Sequence, residues 1–131
     1  MKQIVIFAIM KNNKILVEKR GSKSHWAGEL LLPGGVVEEN ESLELALFRE
    51  AMEELGIIPK KFDLVPTKNP IYGWNNVLVN TYYIRNWQGK IPTHILDKGN
   101  PLKWIDFEEA LNSKIDPVKK ATAALKQFLK L

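Results

Sequence analysis

The sequence of 131 residues contains no cysteine. Disulfide bonds, a thiolate nucleophile and cysteine-ligated zinc are therefore excluded. Long apolar runs are also missing, because the N-terminal apolar stretch covers only residues 4–10 before charged residues return. That stretch lacks a small-residue cleavage site and is far shorter than the roughly 20 residues needed to span a bilayer. We therefore expect a buried first strand, no membrane partner and a cytoplasmic location.

The chain also lacks a strong charge excess, since 19 Lys and Arg side chains oppose 15 Asp and Glu side chains, for a formal charge of +4. The basic residues do not alternate with aromatic residues in the pattern typical of nucleic-acid-binding proteins. No linker, repeat or low-complexity tract divides the chain. The length and composition predict one domain, residues 1–131. They do not decide between a monomer and a homodimer, and both are expected. A small anionic ligand fits the charge better than a nucleic acid polymer.

Six apolar segments rich in β-branched residues predict strands. They cover residues 3–10, 14–18, 29–32, 62–66, 77–85 and 102–105, and Asn12-Asn13 predicts a hairpin turn between the first two. A helix is predicted from Ser42, a favourable N-cap, to Leu55, with Gly56 as its stop. Further helices are expected from Asp106 and from about Pro117 to the end. This order of elements predicts a mixed α/β sandwich.

Three glutamates dominate the central predicted helix. Glu50, Glu53 and Glu54 stand at positions i, i+3 and i+4, so their side chains leave one side of the helix. Crowded carboxylates repel one another by about 0.2–0.5 kcal/mol per exposed pair. A bound cation removes this repulsion, and all-oxygen ligands favour Mg²⁺, with Mn²⁺ as a substitute. A solvated acidic helix is the alternative explanation for this segment taken alone.

Residues around the glutamates fit a ligand site. Gly34 and Gly35 follow a predicted strand, and glycine allows both a positive φ and close approach of the backbone to a ligand or metal. Arg49 can hold Glu41 or a neighbouring glutamate in a two-pronged fork, which would orient the metal ligands.

The spacing of these residues resembles the complete Nudix box. Its specified positions are occupied by Gly35, Glu41, Arg49, Glu50, Glu53, Glu54 and Gly56. At about 7% per position, seven such residues coincide by chance about once in 10⁸ alignments. The preceding HWAGELLLPGG and the later PLKWIDFEEAL extend the similarity, which is strongest to MutT-like members.

The resemblance implies a Nudix α/β/α sandwich and hydrolysis of a phosphoanhydride bond in a nucleoside diphosphate linked to another group. It implies that Glu50, Glu53 and Glu54, with the carbonyl of Gly35, hold one to three divalent ions, and that Arg49 supports them. For the carboxylate that takes a proton from water we favour Glu50. The rival is a loop acid, Asp97.

Substrate contacts are predicted at Arg20, Lys23 and Gly34, with His25 as an alternative in the same segment. Four aromatic residues could stack on a base: Tyr72, Trp74, Tyr82 and Trp87. The segment SKIDPVKKAT offers Asp116 as the best-placed residue for reading the base, with Asn112 farther upstream, so specificity for oxidised guanine nucleotides is not supported.

The leading hypothesis is therefore a nucleoside triphosphate pyrophosphohydrolase that releases a monophosphate and pyrophosphate. A dinucleoside polyphosphate or nucleotide-sugar hydrolase remains open. So does a catalytically silent Nudix domain that senses a ligand, although such domains usually lose box glutamates. An isomerase on the same fold uses a catalytic cysteine, which this chain lacks.

Overall fold

Two β-sheets form the centre of the computed structural model, which describes all residues Met1–Leu131. The strands are β1 Gln3–Ala8, β2 Met10–Lys11, β3 Lys14–Lys19, β4 Leu30–Leu31, β5 Gly34–Val36, β6 Ile58–Leu64, β7 Ile71–Tyr72, β8 Leu78–Gln88 and β9 Leu102–Asp106. The helices are α1 Leu43–Leu55, α2 Phe107–Leu111 and α3 Asp116–Leu129, with a short 3-10 turn at Trp74–Asn76.

The larger sheet has the order β5-β1-β8-β6, with β7 also paired to β8. Strands β1 and β8 run parallel and the other pairs run antiparallel, so this sheet is mixed. In the smaller, antiparallel sheet β3 pairs with β2, β4 and β9. Helices α1 and α3 pack on these sheets, and the expected α/β architecture is confirmed.

Alternation along β1 divides the core between the two main helices. Val5 and Phe7 pack in one cluster with Leu47 of α1. Ile6 and Ala8, which point to the opposite face, pack in a second cluster with residues of α3. Because both faces of β1 are covered, the first strand is a nearly continuous apolar run, as the sequence predicted.

All six predicted strands are present, with changed boundaries, and two short strands were missed. The first predicted strand is interrupted at Ile9, where β2 continues in the smaller sheet. The fourth predicted strand, residues 62–66, begins earlier, at Ile58. It can include Pro59 because β6 is an edge strand and its register shifts beside this proline. The missed strands β5 and β7 are only three and two residues long, and β5 begins with two glycines.

The predicted turn and helix ends are confirmed. Asn12 and Asn13 have φ of 52° and 63°, as a tight hairpin requires. The third helix starts at Asp116, one residue before the proline expected to begin it. No helix in the structure has both the length and the apolar character needed to cross a membrane.

Candidate active site

Helix α1 carries the acidic residues and is held firmly at both ends. Ser42 Oγ accepts a hydrogen bond from the backbone N–H of Leu45 at 3.1 Å. Gly56 ends the helix at φ 65°, a left-handed conformation that glycine adopts without steric cost. Leu47 and Leu55 are almost fully buried and press the helix onto β1 and β8. The packing of its apolar side therefore sets the direction of the acidic side chains.

Arg49 links the acidic residues into a network. Its Nε and Nη2 donate to the two carboxylate oxygens of Glu41 at 2.8 and 2.9 Å, which is the predicted two-pronged fork. Nη1 donates to Glu50 at 2.8 Å and to Glu53 at 3.3 Å. Nη2 also reaches the carbonyl of Val36 at 2.8 Å. One side chain thus fixes three carboxylates relative to strand β5.

The pKa values of this network reflect its geometry. The hydrogen bonds from Arg49 lower the pKa of Glu41 to about 2, and the same bonds raise the pKa of Arg49 above its ordinary value. Burial raises the pKa of Glu50 despite its bond to Arg49. Glu41 is therefore an ionised anchor for the arginine, whereas Glu50 has a greater tendency to accept a proton.

Glu54 is the most buried of the helix acids. Its relative exposure is 1%, and neither carboxylate oxygen has a hydrogen-bond partner. The nearest basic group is Lys98 Nζ, 3.9 Å from Oε2. Burial, together with the charges of Glu18 and Glu50, raises the pKa of Glu54 to about 8. A buried carboxylate left without donors requires a cation or a proton.

The three helix glutamates differ in environment, and no three acidic or histidine side chains converge on one point. Glu50 and Glu54 are buried, whereas the side chain of Glu53 is 47% exposed. Arg49 donates hydrogen bonds to Glu50 and Glu53, whereas Glu54 receives none. The unpartnered oxygens of Glu54, beside Glu50, fit a hard divalent cation, because such ions prefer oxygen ligands.

The two glycines of β5 allow close packing. A Cβ at Gly34 would overlap the backbone of Val5 and Ile6, and a Cβ at Gly35 would overlap the carboxylate of Glu50. The expected positive φ is wrong for both residues, because they form an antiparallel ladder with β1. Their conformation is that of an ordinary strand. At Gly35 the backbone closely approaches the Glu50 carboxylate of the acidic helix, and its approach to a ligand or metal stays a prediction.

The sequence interpretation missed Glu18, at the end of β3. Glu18 is 2% exposed, and its charge contributes to raising the pKa of Glu54. Asn100 Nδ2 donates to Glu18 at 3.1 Å, and Arg20 Nη1 lies 3.7 Å away. A signal was present in the sequence KILVEK, where period-two alternation places Glu18 on the same face as the buried Leu16.

A cavity of about 490 Å³ opens beside these carboxylates. Its lining includes Gly35, Glu50 and Arg49 together with the basic side chains of Arg20 and Lys98, whereas Glu53 and Glu54 do not line it. The remainder is mostly apolar, with lining residues that include Ile4, Ile6, Leu31, Val79 and Trp74. A lining that combines charged and apolar side chains can accommodate a phosphorylated ligand with a flat ring system.

Only some of the residues predicted to contact the substrate line this cavity. Arg20 and Gly34 line it, whereas Lys23 and Asp116 do not. Asp116 is exposed and forms an ion pair with Lys120 at 2.9 Å, because the first turn of α3 directs it outward. Asp97 lies in an exposed loop, and its charge contributes to raising the pKa of Glu54.

Only one of the four candidate aromatic residues lines the cavity. Trp74 is 58% exposed, and its ring centroid lies 4.3 Å from that of His25, which lines the same wall. Tyr72 is exposed outside the cavity. Tyr82 belongs to the core cluster under α1 and Trp87 packs against it, so both are structural.

Known proteins share both the sequence and the fold. The chain matches the NUDIX domain family over residues 1–128. It is 31% identical over 97 residues to an 8-oxo-dGTP diphosphatase of Escherichia coli K12, covering 74% of this chain and 73% of that protein. It is 30% identical over 117 residues to a CTP pyrophosphohydrolase of the same organism, covering 89% and 84%.

Solved structures give the same result for the fold. A MutT Nudix hydrolase from Burkholderia pseudomallei superposes with a TM-score of 0.76 at 24% identity, covering 95% of this chain and 97% of that one. The E. coli ORF135 protein superposes with a TM-score of 0.71 at 28% identity, covering 100% and 90%. The family match, the sequence relatives and the fold all agree with the acidic helix α1 and the glycine-containing strand β5. The chain therefore belongs to the Nudix hydrolase family and is a MutT-like member.

Proposed function

We propose that this chain, acting as a single domain of residues 1–131, hydrolyses nucleoside triphosphates to nucleoside monophosphates and pyrophosphate with Mg²⁺ as cofactor. The observation that carries the proposal is the cavity, whose lining combines Glu50 of α1 with basic side chains and apolar residues. Support also comes from the relatives named 8-oxo-dGTP diphosphatase and CTP pyrophosphohydrolase.

The cation would be held by Glu50, Glu53 and Glu54 with the carbonyl of Gly35. When bound, Mg²⁺ would neutralise phosphate oxygens and favour ionisation of water; Mn²⁺ would substitute for it. The residue chemistry fits, because Glu54 presents two buried oxygens without hydrogen-bond donors. Arg49 would act through its bonds to Glu50 and Glu53, holding them at a set distance from β5.

Hydrolysis would form a bond from a water oxygen to phosphorus and break the anhydride P–O bond, releasing pyrophosphate. Glu50 is the proposed proton acceptor, since it lines the cavity and burial raises its pKa. Asp97 is the alternative, because it belongs to the loop beside Glu54. Arg20 and Lys98 would attract the phosphate chain from the cavity wall. Lys23, which is exposed outside the cavity, would add only long-range attraction.

The apolar recess would receive the base. Trp74 and His25 offer a stacking surface, whereas the polar groups that could read a base edge are few. Strong discrimination requires buried polar groups that a wrong base leaves unpaired. Asp116, expected to read the base, faces solvent and Lys120. We therefore propose cleavage of several nucleoside triphosphates, with modest preference among the bases.

The test is a substrate panel with Mg²⁺ and identified products. We would measure kcat/KM for dGTP, 8-oxo-dGTP, dATP, dCTP, a diadenosine polyphosphate and ADP-ribose. Comparable values for several triphosphates, with pyrophosphate released, are expected. A preference for 8-oxo-dGTP above about 10³, or roughly 4 kcal/mol, would contradict the modest base preference. Cleavage of ADP-ribose or the dinucleotide alone would contradict the triphosphate assignment, and no cleavage at all would indicate a ligand-sensing domain.

A further inference from the structure

Glu18 is a buried carboxylate to which the proposed reaction assigns no role. It lies at the end of β3 with 2% relative exposure. Its face of the strand is shared with Leu16, which packs in the cluster under α1. Burial of an ionised side chain is unfavourable unless charge and hydrogen bonds compensate it. The environment of Glu18 therefore has to supply positive charge.

The protein groups around Glu18 compensate it incompletely. Asn100 Nδ2 donates to Oε2 at 3.1 Å, but an amide carries no net charge. Arg20 Nη1 lies 3.7 Å from Oε1, beyond hydrogen-bond distance, and its side chain is 29% exposed at the cavity wall. Neither group contacts the carboxylate as closely as Arg49 contacts Glu41. The protein therefore provides no cationic group within hydrogen-bond distance of Glu18.

Glu54 is a second, independent sign that a cation belongs here. Both of its oxygens are buried without a hydrogen bond, and the nearest ammonium group, that of Lys98, is 60% exposed and 3.9 Å away. One loop contacts both acids: Leu96 N–H donates to the carbonyl of Glu54 at 2.9 Å and Lys98 Nζ lies 3.9 Å from its carboxylate, while Asn100, two residues farther on, donates to Glu18. Two almost fully buried acids beside one loop, one of them without any hydrogen-bond donor, need a cation to compensate their charge.

We propose that Glu18 is an additional carboxylate ligand of the divalent-cation site, supplied by β3 opposite the acids of α1. This inference rests on the proposed function, because it assigns a further ligand to the same site. It differs from a purely structural role, in which Glu18 would only hold Asn100 and Arg20 in place. The two roles make different demands on the side chain: a ligand needs charge and reach, whereas an anchor for Asn100 needs only an acceptor oxygen.

The test measures Mn²⁺ binding without nucleotide, by electron paramagnetic resonance and by titration calorimetry. Glu18→Gln keeps an acceptor for Asn100 and removes the charge. Glu18→Asp keeps the charge and withdraws the carboxylate by one methylene. We expect Mn²⁺ affinity to fall at least ~10-fold in both variants, the range for altered metal surroundings. The matched control is Glu39→Gln, an exposed glutamate outside the cavity, which should bind like the unmodified chain.

Three outcomes would overturn the inference: unchanged affinity in Glu18→Gln, full affinity in Glu18→Asp, or no Mn²⁺ binding by the unmodified chain. Unchanged affinity in Glu18→Gln would mean that Glu18 has only a structural role. Full affinity in Glu18→Asp would mean that Glu18 affects the cation only through its charge, without direct coordination. Circular dichroism and thermal unfolding establish that each variant is folded, and Glu18→Gln alone decides the question if Glu18→Asp does not fold. Metal binding that depends on Glu18 without nucleotide hydrolysis would refute the proposed function and support this inference.

Discussion

Arg49→Lys tests the role of guanidinium geometry in the acidic network. Arg49 makes five hydrogen bonds, two to Glu41 and one each to Glu50, Glu53 and the carbonyl of Val36. A lysine ammonium has three N–H groups on one nitrogen and cannot form a planar fork. The variant therefore keeps the charge but loses at least two of the five hydrogen bonds.

The size of the effect follows from those lost bonds. A hydrogen bond to a charged group contributes roughly 1.5–3 kcal/mol, and partial solvent exposure reduces this value. The Arg49 side chain is 24% exposed, so two lost bonds should lower the free energy of unfolding by about 2–4 kcal/mol. Glu50 and Glu53 would also lose their shared donor. We expect metal affinity to fall about 10–100-fold, as when a group supporting metal ligands is removed.

Urea unfolding of the metal-free protein and Mn²⁺ titration measure the two effects separately. Arg85→Lys is the matched control, because Arg85 pairs with Asp63 between β8 and β6, outside the cavity. It should change neither metal affinity nor stability by more than ~0.5 kcal/mol. If Arg49→Lys is as silent as the control in both assays, Arg49 merely neutralises charge and the orienting role is refuted.

Further predictions concern the acids and the metal. Glu53→Gln and Glu54→Gln should each lower kcat at least ~100-fold while remaining folded, in steady-state assays controlled by circular dichroism; near-normal rates would make α1 a solvated acidic helix. Excess EDTA should abolish hydrolysis, and Ca²⁺ should bind without restoring it well; activity persisting in EDTA contradicts the metal assignment. Because Glu54 has a pKa of about 8 instead of 4.5, the folded state holds a proton that the unfolded chain has released between these pH values. The melting temperature of the metal-free protein should therefore fall as the pH rises from 4.5 to 8, a decline that Glu54→Gln should remove. Glu41 has the opposite effect on stability below pH 4.5. Because its pKa is about 2 in the folded state, the free energy of unfolding should decrease as the pH falls from 4.5 toward 2.

Local chemistry allowed much of the fold to be predicted from the sequence. Ser42 and Gly56 marked the ends of α1 because capping depends on side-chain oxygen and backbone freedom at single positions. Strands such as β1 and β3 were also predicted, because a strong apolar pattern is a local property of the sequence. Strands β5 and β7 were missed because two or three residues carry no period. The pairing of β5 also depends on β1, which is distant in sequence.

The sequence by itself determined the acidic helix, the ability of Arg49 to hold a carboxylate in a fork and the family resemblance, because these depend on residue identity at fixed spacing. The choice of Glu41 as the forked partner came from the structure. Tertiary structure alone decided which acids are buried: Glu54 lacks any donor while Glu53 is exposed, although they are adjacent. Only folding placed Glu18 of β3 and Glu54 of α1 beside the loop that carries Lys98 and Asn100. Only folding turned Asp116 away from the cavity that Arg20 lines. Burial and charge proximity arise from packing between distant segments, which helical or strand periodicity does not encode.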